Sequence, residues 1–483
     1  MAIGDPNAAL VDLGGAMTRP IVVDRPLHSD QTPGEWVKNN LFGSVLNSVI
    51  TLVSAALATF VLYYGVRWAI DVEWEIVRAN LRNFMIGQYP KEELWRPWAG
   101  GLALVAAVGL GTAGIARTAF EEAIEKGLPT DKQTWGGLLR RFWPILAFIV
   151  IVLTFTRTIQ PTIGVIAGLA LFIGGRSLGW HLPSGLRRFS PHIIGIGLVA
   201  LSTIIAGSGG LVAVVGGLVT AAIVTTAIGD RINRTALIGK LAAMAIPVLG
   251  GVAVWFVMNS IDSFGFGWKD WGGLYLTLFV TVAGISTGMP LGILLAIGRR
   301  SQLPVIKAFC VMFIEFVRGV PLISLLFFSG FMLPLLFPPQ AGIPDGTTRA
   351  MIVITLFSAA YIAEIVRGGL QAVPKGQTEA AQAQGLSAGK IQRLIVMPQA
   401  LRAVIPAMVG QFISLFKDTS LLAIIGVAEF LQIATIANTQ QDFLGKGLQP
   451  VTYAFVALGY WAFAYTMSKE SRRLETRLGV GTR

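Results

Sequence analysis

Long apolar runs separated by short polar stretches set the rhythm of this chain. About twelve of them are long enough, or nearly so, to cross a bilayer as helices. They lie at 42–68, 99–117, 142–158, 161–177, 191–207, 208–228, 241–259, 272–297, 303–336, 350–371, 400–436 and 449–468. The pattern predicts an all-α integral membrane protein, a polytopic helical bundle of about 12 spans. The runs 142–158 and 161–177 are short, and a helical hairpin that does not fully span would suit them too. Segment 69–98 sets Trp74, Trp95, Trp98, Ile76, Val77, Leu81 and Phe84 among charges. This predicts an amphipathic helix on the outer surface; an ordinary belt of interfacial aromatics gives the same pattern.

One polar, alanine-rich island interrupts the rhythm, Gln377 to Pro406. Alanine and glutamine favour helix, and Gly385 can take the left-handed backbone that closes one. The first half therefore predicts a helix of about ten residues, too short to stand alone in water. A short helix held out from a membrane with small side chains forward is suited to lie against a partner.

Composition places the chain before any motif does. Of its 483 residues 54% are hydrophobic and 13% charged, against about a quarter charged in soluble proteins. The net charge of +12 comes from short basic clusters between apolar runs. That suits cytoplasmic loops, not a nucleic-acid surface, which needs one basic face. Three His and one Cys leave no disulfide within the chain and no plausible metal cluster. Cys310, inside an apolar run, reads as a small apolar filler.

The basic residues also orient the chain. Alternate loops hold Arg140 and Arg141, Arg187 and Arg188, Arg231 and Arg234, Arg299 and Arg300, Lys375 and Lys390, and Lys469, Arg472 and Arg473. The other loops are poorer or balanced by acids. Both termini and the 377–398 island are thus expected in the cytoplasm. Residues 1–41 carry five acids and no basic lead into an apolar core, so they read as a cytoplasmic tail, not a signal peptide.

Two motifs mislead. Gly109-Leu110-Gly111-Thr112-Ala113-Gly114 matches a nucleotide-binding glycine pattern but lies inside an apolar span with no strand before it. Close helix packing through small residues accounts for it, and for Gly164 and Gly168. Gly385 to Lys390 is one residue short of a phosphate loop. No ATP site of its own is expected, and any ATPase must be another polypeptide.

A charge in a spanning helix costs roughly 2.5–3.5 kcal/mol on insertion scales, so each needs a partner, water or a task. Glu315 and Arg318 stand three apart on one helix face, and Glu364 and Arg367 repeat that spacing. Lys417 and Asp418 sit within a run, followed by Thr419 and Ser420. A path for a small solute carrying both charge signs would need both signs and hydroxyls along its wall. Glu364, Lys417, Asp418, Thr419 and Ser420 are its candidates. Glu315, Arg318 and Arg367 are candidates for structural ion pairs, and pairing alone would also explain the other charges.

Glu379-Ala380-Ala381, then Gly385, Ile395 and Pro398, resembles the EAA loop of bacterial ABC importer permeases, with Met397 where the pattern has Leu. Phe316 to Leu322, Ala363 to Gly369, Lys417 to Leu421 and Tyr460-Trp461 resemble the polar and general L-amino-acid branch. The opening Glu35 to Phe42 resembles its longer permeases. The resemblance is dense over 272–483 and thin before it. It implies a type I importer core of about five spans at 272–483, with the coupling loop at 374–398. An extra module of about seven spans at 42–271 and a tail at 1–41 would precede it. It implies a permease subunit of the bacterial inner membrane, not an enzyme, moving amino acids by alternating access. Glu379, Ala380, Ala381, Gly385, Ile395 and Pro398 would couple it to an ATPase dimer, which would hold the ATP and Mg. The other implied partners are a second, related permease and an extracytoplasmic solute-binding protein. An ATP-independent secondary transporter is the alternative; it usually shows inverted repeats, and none spans this chain.

Overall fold

The computed structural model describes residues 32–125, 135–187, 189–190, 193–194, 196–197, 271–338 and 346–478. Among these, regular structure is helical, apart from one parallel bridge between Gly273 and Glu429. The chain divides into two compact units, 1–72 and 73–483.

The first unit holds α1 (Pro33–Leu41) and α2 (Val45–Asp71). Thr32 and Glu35 cap α1 reciprocally, which satisfies two amides that would otherwise lack partners. Ser44 caps α2 by accepting from the Asn47 amide at 3.1 Å. No residue of α2 is buried, and it is apolar on every side, as a helix surrounded by lipid should be.

The second unit begins with α3 (Glu75–Ile86), α4 (Trp95–Glu125), α5 (Trp135–Thr154) and α6 (Gln160–Trp180). It continues with α7 (Gly273–Arg299), α8 (Pro304–Gly319), α9 (Leu322–Phe327) and α10 (Gly346–Ala372). The short α11 (Lys375–Ala383) precedes α12 (Met397–Asp418), α13 (Phe430–Asn438) and α14 (Gln449–Leu478).

Seven helices among the described residues are long and apolar enough to cross a membrane, eight with a bent pair counted as one. Of the twelve expected spans, 208–228 and 241–259 lie outside the described residues, as does most of 191–207. The 449–468 run forms most of α14, which is long enough but is not among the seven, its hydropathy diluted by Tyr453, Tyr460, Trp461, Tyr465 and Thr466.

Two expected spans are not straight. The 303–336 run bends by 100° between α8 and α9. Val320 is extended there, as the residue before a proline prefers, and Pro321 opens the next helix. The 400–436 run ends its α-helix at Asp418, tightens through Thr419–Ile425, and reverses at Gly426 with φ 77°. Only then does α13 begin.

The amphipathic character expected at 69–98 is present in α3, whose apolar face turns inward, while Trp95 and Trp98 of the same segment are exposed at 58% and 38%. Ile76, Val77 and Phe84 are fully buried, and α3 packs on α7, α13 and α14. Phe84 meets the rings of Phe430 and Phe455 at 6.2 and 5.1 Å. A sequence cannot separate a face turned to lipid headgroups from one turned to other helices. The glycine pattern at 109–114 does serve packing: α4 lies so close to α6 that a Cβ on Gly109 would stand 2.6 Å from the Phe172 carbonyl oxygen.

Two apolar clusters position the candidate site. One joins Leu276, Phe279 and Val280 of α7 to Ile354 of α10 and Leu415 of α12. The other joins Leu295, Cys310, Ile314, Ile362 and Val366 to Ala381, Ile391, Val396 and Ala400. Cys310 is 6% exposed within it, the apolar filler its setting suggested.

Candidate functional site

The projecting element is α11, nine residues long. Pro374 precedes it and ends α10, since a proline cannot continue the helix. Its far end closes as anticipated: Gly385 takes φ 76°, and the Leu386 amide returns to the Ala381 carbonyl at 3.2 Å. Those bonds occupy carbonyls that the helix end would leave bare. A Cβ on Gly385 would meet nothing within 4 Å, so backbone conformation, not space, selects glycine there.

The two alanines of the Glu379-Ala380-Ala381 motif differ. Glu379 and Ala380 are exposed, whereas Ala381 is 3% exposed and packs with Ile391 and Val396. Of the small side chains expected to face forward, Ala380 faces out, whereas Ala381 fastens the helix to its own chain. Ile395 is half-buried and Pro398 exposed. The segment thus presents a free outer face on a footing that reaches α10 and α12.

About three turns before α11, on α10, Glu364 gathers three guanidinium groups. Arg367 donates to it from the same helix at 2.9 Å through Nε. Arg299 of α7 and Arg318 of α8 stand 3.4 and 3.5 Å away. Glu315 sits 2.8 Å from Arg299. Glu364 and Arg367 pair across one turn of α10, as residues three apart on a helix can. Glu315 and Arg318, expected to pair within one helix, instead reach across to α7 and α10. Spacing locates helix-face neighbours but not what a crossing helix brings nearer. Arg300 also donates to the Leu370 carbonyl at 3.4 Å, so the end of α7 lies beside the end of α10.

The remaining path candidates sit elsewhere. Lys417 and Ser420 line a groove of about 750 Å3 between α12 and α14, with Ile413, Tyr453, Tyr460, Trp461 and Tyr465. Thr419 is fully buried behind it and donates to the Phe416 carbonyl at 2.6 Å. Asp418 is half-buried and is not among the groove's lining residues. Glu364 belongs to the arginine cluster. The five candidates thus divide between two places.

One functional-looking residue escaped the sequence reading. Glu429 is 0% exposed. It caps α13 by accepting from the Leu431 and Gln432 amides at 2.8 and 2.7 Å, and it accepts the Tyr460 hydroxyl at 2.9 Å. An acid just before an apolar helix is a cap signal, but it was hidden inside a run taken as one span.

Among the described residues no cluster of three or more potential metal ligands occurs.

Comparison with known proteins places this geometry. The family described as binding-protein-dependent transport system inner membrane component matches residues 288–477. The inner membrane amino-acid ABC transporter permease protein YhdY of Escherichia coli is 48% identical over 213 residues, 44% of this chain and 57% of that relative. The glutamate/glutamine/aspartate/asparagine transport system permease protein BztC of Rhodobacter capsulatus is 34% identical over 471 residues, 92% of this chain and 93% of its own length. A solved structure described as an amino acid ABC transporter with histidines is 30% identical and covers 42% of this chain and 92% of its own, at a TM-score of 0.38; so loose an overlap carries no argument. With a relative matched almost end to end, and the family's own span falling on α7 to α14, the chain belongs to the inner membrane components of binding-protein-dependent ABC transport systems.

Proposed function

We propose that this chain is the permease subunit of an ATP-driven amino acid importer of the bacterial cytoplasmic membrane, and that α11 couples it to a separate ATPase dimer. One observation carries the reading: α11 stands out with Glu379 and Ala380 free while Ala381, Ile391 and Val396 fasten it to the bundle. A push on the free face therefore reaches α10 and α12 as a rigid displacement, because packed cores shift between discrete arrangements and do not yield gradually. ATP binding would close the ATPase pair, carry α11 with it, and rock the helices between inward-open and outward-open states. Gly385 sets the angle at the elbow; Ile395 and Pro398 complete the segment.

The groove between α12 and α14 supports a reading of the transport path. Lys417 is exposed on α12, and a bare ammonium facing lipid is costly. A second, related permease covering this face would shelter it and complete a wall of Lys417, Ser420 and aromatic rings suited to a zwitterion. Glu364 belongs to the framework; its three arginines hold α7, α8 and α10 together. An extracytoplasmic solute-binding protein would deliver the substrate. The names of YhdY and BztC support an amino acid as cargo. Residues 272–483 form the core in this reading and 42–271 an added module, part of which, α3 and α5, braces α14. Both termini and residues 374–398 lie in the cytoplasm.

The test is uptake of radiolabelled L-glutamine or L-glutamate by proteoliposomes holding the whole transporter. Uptake that follows ATP and ignores an ionophore supports the reading. Uptake abolished by the ionophore and indifferent to ATP would make the chain a secondary transporter instead.

A further inference from the structure

Glu429 lies directly behind the groove, and its role differs from that of every residue already placed. It is fully buried where the chain turns from α12 into α13. Its carboxylate takes three donors at once: the Leu431 and Gln432 amides and the Tyr460 hydroxyl. Two belong to α13 and the third to α14, so one side chain ties the turn to the helix across the groove. The same phenol stands 3.3 Å from the Thr419 hydroxyl, and the next amide, that of Phe430, donates to Thr277 of α7 at 3.1 Å. The Tyr460 ring is boxed by Phe416 at 5.1 Å and Phe430 at 5.9 Å.

The consequence concerns what the groove presents. Tyr460 lines it, yet its hydroxyl is turned inward to Glu429. The groove therefore receives ring surface at this point, with Lys417 as its cation. A phenol held less firmly would let the whole Tyr460 side chain swing its oxygen toward the groove, where it would compete for polar groups of a passing substrate. A charged acceptor gives a shorter and stronger bond than a neutral one, so a carboxylate is the side chain to hold a phenol this firmly.

We propose that Glu429 is a positioning residue for transport, which acts through Tyr460 by holding its hydroxyl away from the groove and fixing the ring as part of the substrate-facing wall. The proposal rests on the groove being the path. Glu429 itself never meets substrate; it sets the shape and polarity of the surface that does.

The experiment uses the complete transporter in proteoliposomes with L-glutamine as probe. Tyr460→Phe deletes the hydroxyl and keeps the ring; Glu429→Gln keeps the shape and removes the charge. Glu429→Gln is expected to raise KM for uptake about tenfold, the size of one hydrogen bond to a charged group, with little change in maximal rate. Tyr460→Phe has no hydroxyl to misplace, so adding Glu429→Gln to it is expected to raise KM no further than Tyr460→Phe alone. The same tenfold rise from Glu429→Gln in the Tyr460→Phe background would show that the glutamate acts only as a cap for α13, and would overturn the inference. If Glu429→Gln fails to assemble, Glu429→Asp replaces it with the same expected KM rise, again absent in the Tyr460→Phe background; a rise there overturns the inference. Lys417→Gln separates the two levels. Uptake unchanged in Lys417→Gln sinks the path itself, whereas uptake lost in Lys417→Gln with an undiminished effect of Glu429→Gln in the Tyr460→Phe background sinks only the role of Glu429.

Discussion

Arg299, the last residue of α7, stands 2.8 Å from Glu315 of α8, and the same nitrogen lies 3.4 Å from Glu364 of α10. Three helices thus share one charge cluster at the foot of the bundle, and its two carboxylates are unequal. Glu364 is 22% exposed and faces three arginines, while Glu315 is 53% exposed and faces one. Glu364→Gln is expected to destabilise the chain by about 1–3 kcal/mol, as the loss of charged hydrogen bonds does. Glu315→Gln should cost less than about 1 kcal/mol, in the range of exposed pairs. Thermal unfolding in detergent, followed by tryptophan fluorescence, checks the order; equal losses would contradict it.

The elbow after α11 depends on backbone alone. Gly385→Ala forces a side chain into a left-handed conformation at about 1–2 kcal/mol. Gly385→Pro is worse, because proline fixes φ near −65° and the native value is 76°. Insertion and stability of the bundle should survive both changes. Co-purification of the ATPase should fall with alanine, and uptake should vanish with proline. Normal uptake by Gly385→Pro would show that the angle does not matter.

The first and last parts of the second unit meet through α5 and α14. Arg141 pairs with Glu470, Lys469 donates to the Arg140 carbonyl at 2.9 Å, and Trp143 stands 5.8 Å from Trp461. A double-mutant cycle on Arg141→Ala and Glu470→Ala should give a coupling of about 0.5–3 kcal/mol. Additive effects would show that the brace is only nominal.

Much of this was visible from residue types. Gly385 announced its left-handed turn because no other residue adopts one so readily. The Glu364–Arg367 pair followed from helical spacing, and the apolar runs located the helices of the described residues. What stayed hidden was three-dimensional in origin. An apolar run looks the same whether it is straight or broken, so the bend beside Pro321 and the reversal at Gly426 were absorbed into single spans. Glu429 vanished with them, since a cap cannot be noticed where no helix start is expected. The burial of Ile76, Val77 and Phe84 depends on helices hundreds of positions away, and the inward turn of Ala381 on Ile391 and Val396 beyond the Gly385 turn.

The account stands or falls on whether α11 is grasped by a nucleotide-driven partner inside the cell. The direct measurement places a single reporter cysteine by Ala380→Cys in a Cys310→Ala background and cross-links it within the assembled transporter. An adduct with the ATPase that changes yield when ATP is added is the expected result. A sulfhydryl label that cannot cross membranes, reacting there from outside intact cells while no adduct forms, would contradict it.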